Sequence, residues 1–514
     1  MRLPGQAGSA TGPVQTANRS SGRRVLLVNA NATARPYRVA PLGLAFVATA
    51  TERAGHDVRF VDLPQTAAGR RHFVQALRDW QPEFVALGIR NLDNSDYHAF
   101  ETYLDGPARL IREARQIAPQ ATIVVGGPAG TVEPERVAAV TGCDHLILGE
   151  GEESLPQLIA RLGAGEVVPR LVGADDRGTP FRVARPGALP APALHRWVTD
   201  FAPYLGGDAG YPVQTKRGCP LQCTYCTYGR IEGRSYRFLN PAAIAEEIEG
   251  ALGRGIRDFE FVDSTFNLPA NHALEVLQTL RARRLQANYV GTGLNPRQLP
   301  GELLEAMRAL GFRGVILTAE SASDTMLASY RKNYRRDRLF AAAEGLRRHD
   351  LRALWVFLLG GPGETPATVE ETLSFIARWV PSPSSVYITS GVRIYPGSPI
   401  GDELERGRLR VADLRRRPGH EEVPFYYSGQ TPPEWLEARL RRFQRSHPQV
   451  MLSCEGHDWV TQAALSVMRY LPLRKPYWQY LPALNVARRW LGAPLFKCFR
   501  IREAAPLLSP LPQS

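Results

Sequence analysis

The sequence predicts an α/β protein with a doubly wound (Rossmann-like) N-terminal domain, a partial (β/α)6 TIM-type barrel, and a helical C-terminal region. Three observations carry this. Short β-branched runs alternate with longer helical stretches over the first third of the 514 residues. After a Pro/Gly-rich connection the alternation restarts for about six units, and beyond about residue 425 it stops. Continuous apolar strands separated by helices require a parallel sheet covered on both faces. Six βα units fall short of the eight that close a complete barrel.

Residues 1–22 are small, polar and basic and contain no apolar core segment, so they are expected to be a disordered leader and not a signal peptide. Residues 23–165 form the first domain. Its strands are "VLLVNAN" (25–31), "VRFVDL" (58–63), "FVALGI" (84–89), "TIVVGG" (122–127) and "HLILGE" (145–150). Ligands of such sheets lie beyond the carboxyl ends of the strands, here "NANATARPYRVAPLG", "GIRNLDNSD", "GGPAGT" and "GEGEES". Residues 166–207 are a linker. Residues 208–425 carry the barrel strands "VQTKRGC", "DFEFVDSTF", "NYVGTGL", "GVILTAES", "LWVFLLGG" and "VYITSGVRIYP". Residues 426–514 are helical, aromatic and basic, with Trp478, Tyr480, Trp490 and Phe499 among arginines and lysines. The segment from Gly456 to Arg502 is expected to cap the barrel mouth and favour an apolar substrate. The alternative is peripheral membrane contact through the C-terminal region.

Composition narrows the classes. The formal net charge of +13 is spread as scattered arginine, without the basic, aromatic-interleaved block of a nucleic-acid module, so no nucleic acid is expected. No apolar run reaches the length of a membrane span. Six cysteines in so long a chain do not make a disulfide scaffold and point to a reducing, cytoplasmic setting.

Three of those six stand within eight residues, as Cys219-x3-Cys223-x2-Cys226 at the end of the first barrel strand. Structural zinc takes four protein ligands. The nearest histidines, His195 and His272, are remote in sequence, and a distant fourth ligand would lose the local logic of a zinc loop. Three thiolates on an iron–sulfur cube leave one iron open to a non-protein ligand. Cys143 and Cys498 are expected to be packing residues, and Cys454, beside Glu455 and His457, is left open as a second-site thiol.

The cysteine spacing, with aromatic Tyr225 before the last thiol, resembles the signature of the radical S-adenosylmethionine (SAM) family over about residues 208–400. The resemblance implies a 4Fe–4S cluster on Cys219, Cys223 and Cys226, with the open iron chelated by SAM. It also implies cleavage of SAM to methionine and a hydrogen-abstracting 5′-deoxyadenosyl radical. By the same resemblance Asp263 lies near the SAM amino group, and Glu320 and Ser321 bind its ribose or carboxylate. Gly360, Gly361 and Pro362 bring backbone close to it, and Ile394 and Tyr395 lie along its adenine.

The first domain resembles the cobalamin-binding domain that precedes the barrel in one branch of the family, through "APLGLAFVATATERAGHDVRFVDL", "IVVGGPAG" and "CDHLILGEGEESLPQLI". Gly126, Gly127 and Pro128 would let backbone approach the corrin. The lower-ligand pattern D-x-H-x-x-G fails, because Asp96 and His98 are followed by Glu101 where glycine should stand. His98 is therefore expected on the surface. The resemblance implies a cobalamin-dependent methyltransferase that moves a methyl group from methylcobalamin to an unactivated carbon of a small or apolar metabolite. It would be served by a reducing partner such as flavodoxin or ferredoxin. The alternatives are a cyclase or oxidative rearrangement enzyme without methyl transfer, and a non-catalytic corrinoid or iron–sulfur sensor.

Overall fold

The computed structural model describes residues 22–490, except 32–37, 64–66, 174–182, 184, 188, 190, 207, 381–382, 458–466, 469–470 and 472. The leader up to residue 21 and Cys498 lie outside the described residues.

The first domain runs β1 (Arg24–Asn29), α1 (Leu42–Arg53), β2 (Asp57–Asp62), α2 (Ala67–Gln75), β3 (Phe84–Gly88), α3 (Asp105–Ile117), β4 (Thr122–Gly126), α4 (Pro128–Val132), α5 (Pro134–Thr141), β5 (His145–Leu148), α6 (Gly151–Gly163) and β6 (Leu171–Gly173). All strands are parallel, in the order β2-β1-β3-β4-β5-β6. Helices bury both faces, so β1 and β5 are almost wholly apolar and inaccessible. The chain passes from β1 to β2 on one side and then crosses to β3 on the other, and this reversal of strand order opens a crevice at the carboxyl ends of β1 and β3.

The second domain runs α7 (Leu194–Trp197), β7 (Tyr211–Val213), β8 (Lys216–Arg217), α8 (Tyr228–Ile231), β9 (Arg237–Phe238), α9 (Pro241–Gly253), β10 (Asp258–Phe261), α10 (Ala270–Ala282), β11 (Asn288–Leu294), α11 (Gly301–Leu310), β12 (Phe312–Glu320), α12 (Asp324–Ser329), α13 (Arg336–Arg348), β13 (Ala353–Leu359), α14 (Pro366–Trp379), β14 (Ser385–Ser390), β15 (Val392–Arg393), α15 (Pro399–Glu405), β16 (Leu414–Arg417), β17 (His420–Tyr426), α16 (Pro433–Ser446) and β18 (Val450–Leu452). The barrel sheet is β7-β10-β11-β12-β13-β14-β18, parallel throughout. Local signals place its helices. Asn240 caps α9 ahead of Pro241, and Thr365 and Thr368 form a capping box at α14.

Besides Leu171–Gly173, which joins the first sheet from within the stretch 166–207 expected to be a linker, three expectations are corrected here. The first barrel strand ends at Val213. Lys216–Arg217, predicted to continue it, turns away and pairs antiparallel with Arg237–Phe238. The parallel sheet also extends beyond the stretch assigned to the barrel, because Val450–Leu452 adds as a seventh strand, while β15, β17 and β16 form a separate antiparallel sheet.

The third correction concerns the tail. Of the segment expected as a cap, residues 474–479 pack under the barrel, at the strand starts, and not over the mouth. Trp478 sits on Gly314, where an added Cβ would lie 2.7 Å from the indole, and its carbonyl accepts from Ser385 Oγ at 2.7 Å. Lys475 Nζ donates to the Ala209 carbonyl at 2.8 Å and reaches Asp258 at 3.7 Å. Asp208 accepts from the backbone N–H of Tyr477 and Trp478. The aromatics seal the end of the barrel opposite the cysteines. Among the described residues no helix is long and apolar enough to cross a membrane.

Candidate active site between the two sheets

A cavity of about 680 Å³ lies where the carboxyl ends of the first sheet face the mouth of the barrel. From the first domain it is lined by Asn29, Leu42, Gly88, Arg90, Gly126, Gly127 and Pro128, and by Gly149 to Glu152 at the start of α6. From the second it is lined by Pro212, Gln214, Arg217, Thr227, Tyr228, Glu232, Val262, Tyr387 and Tyr395. The three predicted residues Gly126, Gly127 and Pro128 thus face it together. Gly127 needs its glycine for packing, since at φ +103° an added Cβ would stand 2.5 Å from the Ile89 carbonyl oxygen.

The flanks of the cysteine loop form one wall, Arg217 before it and Thr227 and Tyr228 directly after Cys226, while the three cysteines are not themselves among the lining residues. Cys219, Cys223 and Cys226 are free thiols, the first two buried. Burial pushes the Cys226 thiol up to about 12, with the neighbouring Cys223 and Cys219 adding to it. Gly218 starts the loop at φ +88°, where any Cβ would strike the Ser235 carbonyl, and the Cys219 N–H bonds the Gly233 carbonyl at 2.9 Å.

Asp263 anchors the root of this loop. One carboxylate oxygen accepts from the N–H of Thr215 (2.7 Å) and Lys216 (3.1 Å), and the other from Thr215 Oγ1 (2.6 Å) and Lys216 Nζ (3.4 Å). Both charged side chains are fully inaccessible. Its acceptor sites are therefore filled by the protein itself, so Asp263 holds the loop and does not face a ligand, contrary to the sequence expectation.

Glu320 ends β12 in the left-handed region at φ 61°, a strain of about 1–3 kcal/mol for a non-glycine residue. Its carboxylate accepts from Tyr225 Oη at 2.5 Å and lies 3.5 Å from Lys332 Nζ, which reaches Tyr225 Oη at 3.4 Å. Burial opposes the charge on Lys332, but Tyr334, Glu320, Cys223 and Cys226 around it raise its pKa overall. Sequence reasoning missed Lys332, which lies in an unremarkable "YRKNYRR".

The other predicted SAM contacts are placed differently. Ser321 is fully buried in the barrel wall, with its hydroxyl 3.0 Å from Thr372 Oγ1 of α14, so it does not join Glu320 in a polar pair. At Gly361 the space of a Cβ is occupied by the Tyr330 ring, and at Gly360 by Tyr427 and Leu436. The Pro362 carbonyl accepts from Ser329 Oγ. The Ile394 side chain is buried in a small core with Met326 and Tyr330, while Tyr395 lines the cavity.

Cations of the second domain meet acids of the first across the cavity. Arg393 Nη2 lies 2.7 Å from Glu133 and its Nε 3.2 Å from Asp93, and its guanidinium stacks 4.3 Å from the Tyr395 ring. Tyr395 Oη donates to Asp93 at 2.8 Å. Arg217, two residues before Cys219, pairs with Glu152 at 2.7 Å, and Arg237 donates to Glu150 at 2.7 Å. Glu232, held by the Gly218 N–H at 3.1 Å, is pushed up to about 7 by burial against the pull of Arg217. Each buried pair fixes the domains in register, because removing one partner strands a buried charge.

His98 is not a surface residue. Its side chain is 9% exposed, wedged near Tyr427 Oη (3.5 Å) and Glu437 (3.8 Å) of the second domain, and burial lowers its pKa. It does not line the cavity, and neither does any other histidine among the described residues. Cys143 is a buried free thiol of the first core, as expected, and Cys454 is buried and disulfide-bonded.

The donor set fits an iron–sulfur cube. Among the described residues no three His, Cys, Asp or Glu side chains converge on the position of a single ion. Three free thiols on one loop suit a cube in which each takes a different iron and one iron is left open. The glycine-rich strand ends over a largely apolar hollow suit the face of a macrocycle.

Residues 28–159 match the B12 binding domain, and residues 213–376 match the radical SAM superfamily. The hopanoid C-3 methylase of Methylococcus capsulatus is 28% identical over 316 residues, which cover 60% of this chain and 58% of that protein. The anaerobic magnesium-protoporphyrin IX monomethyl ester cyclase of Cereibacter sphaeroides is 26% identical over 397 residues, 73% of this chain and 62% of its own. The chain thus spans about three-fifths of each of these relatives. The radical SAM methyltransferase TsrM from Kitasatospora setae, solved with cobalamin and a 4Fe–4S cluster, shares the fold with a TM-score of 0.74. At 20% identity it covers 91% of this chain and 100% of its own.

Proposed function

We propose that this chain, which belongs to the radical SAM superfamily and carries a B12 binding domain ahead of the radical SAM domain, is a C-methyltransferase acting on a small molecule. The carrying observation is the shared cavity, bounded by the strand ends of the first domain and by Arg217, Thr227 and Tyr228 on either side of the cysteine loop of the second. Cys219, Cys223 and Cys226 would hold the cluster, and Gly126, Gly127 and Pro128 would face the corrin. Tyr225, Glu320 and Lys332 would order the SAM side of the loop. The cluster with SAM supplies a hydrogen-abstracting radical, and cobalamin supplies the methyl group.

The protein's own task is placement. Asp263 and Gly218 fix the cysteine loop. Arg217 and Arg393 lock that loop and the barrel mouth against the first sheet, so that donor and acceptor carbons are presented at one distance, where orientation supplies much of the rate. A flavodoxin or ferredoxin would serve as electron donor.

With no histidine in the lining among the described residues, cobalamin is expected base-off with no histidine on cobalt. Electron paramagnetic resonance of the cob(II)alamin form tests this, and nitrogen superhyperfine splitting from a histidine would refute it. The reaction class is tested by feeding source cells, with and without the gene, methionine carrying a ¹³C methyl group. A gene-dependent product with the labelled methyl supports methyl transfer. A gene-dependent product without it overturns the proposal in favour of cyclisation, the activity for which the second relative is named.

A further inference from the structure

We infer that Glu260 is the specificity residue of a substrate chamber inside the barrel, and that the substrate presents to it a hydrogen-bond-donating nitrogen or hydroxyl group on a compact apolar body. The inference rests on the reading of the cavity as the reaction centre and names what lies beneath it. Along β10 the side chains alternate. Phe259 and Phe261 point outward into the helix-covered core, while Glu260 and Val262 point inward. Val262 and Pro212 both line the floor of the cavity, and Glu260, two residues before Val262, is the register partner of Pro212 in the sheet. Glu260 therefore lies one layer deeper in the lumen.

The lumen around it is not filled. Thr292, Ile316, Thr318, Leu354, Val356, Leu358, all inward-facing, are only partly buried, whereas their outward neighbours are fully buried. This is an apolar chamber with hydroxyls at intervals. Glu260 is 8% exposed, and among the described residues no cation comes within salt-bridge distance of it, although Arg90 of the cavity lining attracts its charge from farther off. It accepts from Thr292 Oγ1 at 2.7 Å and from the Gly210 N–H. A carboxylate has about four acceptor positions, so two remain in a place shielded from bulk water. The nearest cation below, Lys475, is spent on Asp258 and the carbonyls of Leu205 and Ala209. Buried carboxylates are normally paired, and an unpaired one in an empty chamber marks where a ligand's donor goes. Burial raises its pKa, as a site completed by a ligand would show. An entirely apolar substrate would leave that carboxylate stranded.

The test uses three isosteric probes, benzylamine, benzyl alcohol and ethylbenzene, titrated calorimetrically into the full-length, cluster- and cobalamin-loaded protein under anaerobic conditions. Wild type is expected to bind at least one donor probe about tenfold or more tightly than ethylbenzene. Glu260→Gln should lose that preference without weakening ethylbenzene. Glu260→Asp, which keeps the charge but shortens its reach, should weaken the donor probes, and melting curves of both variants report folding. Equal affinity for all three probes, no binding of any, or an unchanged preference in a folded variant would overturn the inference. Because no methyl transfer is read, a failure here is distinguishable from a failure of the proposed reaction.

Discussion

Replacing Asp263 by Asn gives the most direct measure of how the cluster loop is held. The side chain keeps its shape, and its oxygen can still accept from the N–H of Thr215 and Lys216. Its new amide, however, points two hydrogens at Thr215 Oγ1 and Lys216 Nζ, both donors in the present arrangement. Lys216 is 1% exposed, and among the described residues the only other hydrogen bond of its Nζ is to the Phe266 carbonyl at 2.9 Å, so its charge is left buried and uncompensated. Breaking a buried pair this way costs about 3–5 kcal/mol. For a domain of this size each kcal/mol lowers the melting temperature by about 2–4 °C, so a fall of about 6–20 °C is expected. Scanning calorimetry of the anaerobically purified protein measures it, with iron content in parallel, and iron should drop because Lys216 stands three residues before Cys219. Pairing Asp263→Asn with Lys216→Met, which removes the stranded charge, should recover most of the loss. A melting temperature within about 2 °C of wild type would refute the anchoring role. Unchanged stability and iron with a tenfold higher KM for SAM would return Asp263 to the ligand.

Cys223→Ala should lose the brown cluster absorbance and most of the iron after anaerobic reconstitution while keeping its fold by circular dichroism; stoichiometric zinc in the wild type would defeat the cluster assignment. Trp478→Ala should destabilise the barrel by about 3–5 kcal/mol in denaturant unfolding, because the 3%-exposed indole fills the strand-start end; a change in substrate turnover at constant stability would instead restore the tail as a mouth cap. Glu364 is fully buried, and burial raises its carboxyl from 4.5 to about 7. The folded state therefore holds the proton more tightly, so its contribution is complete below about pH 4.5 and is lost as pH rises through about 7, by about 3 kcal/mol in all. Wild type should lose melting temperature between pH 5 and pH 8 relative to Glu364→Gln, and parallel curves would contradict this.

Local signals in the sequence determined the two-domain order, the strand runs, the parallel sheets and the three thiols. Continuous apolar runs allow no other burial, and a Cys-x3-Cys-x2-Cys loop after a strand has few other uses. Contacts between segments distant in sequence decided the rest. Nothing in "FVDSTFN" shows that Asp263 is consumed by Lys216, nor in "LTAESAS" that Ser321 turns to a helix fifty residues on. The aromatic tail could be recognised as amphipathic, but a helix or turn carries no information on which end of a barrel it will seal; that was settled by the bare Gly314 that receives Trp478. The arginines that lock the domains looked like scattered charge, because pairing with acids some 65 to 300 residues away depends on the packing of two sheets and not on spacing. Sequence proximity dictates backbone pattern and covalent loops, and only the closed fold, by excluding water, determines which polar side chains must find each other and which are left for a ligand.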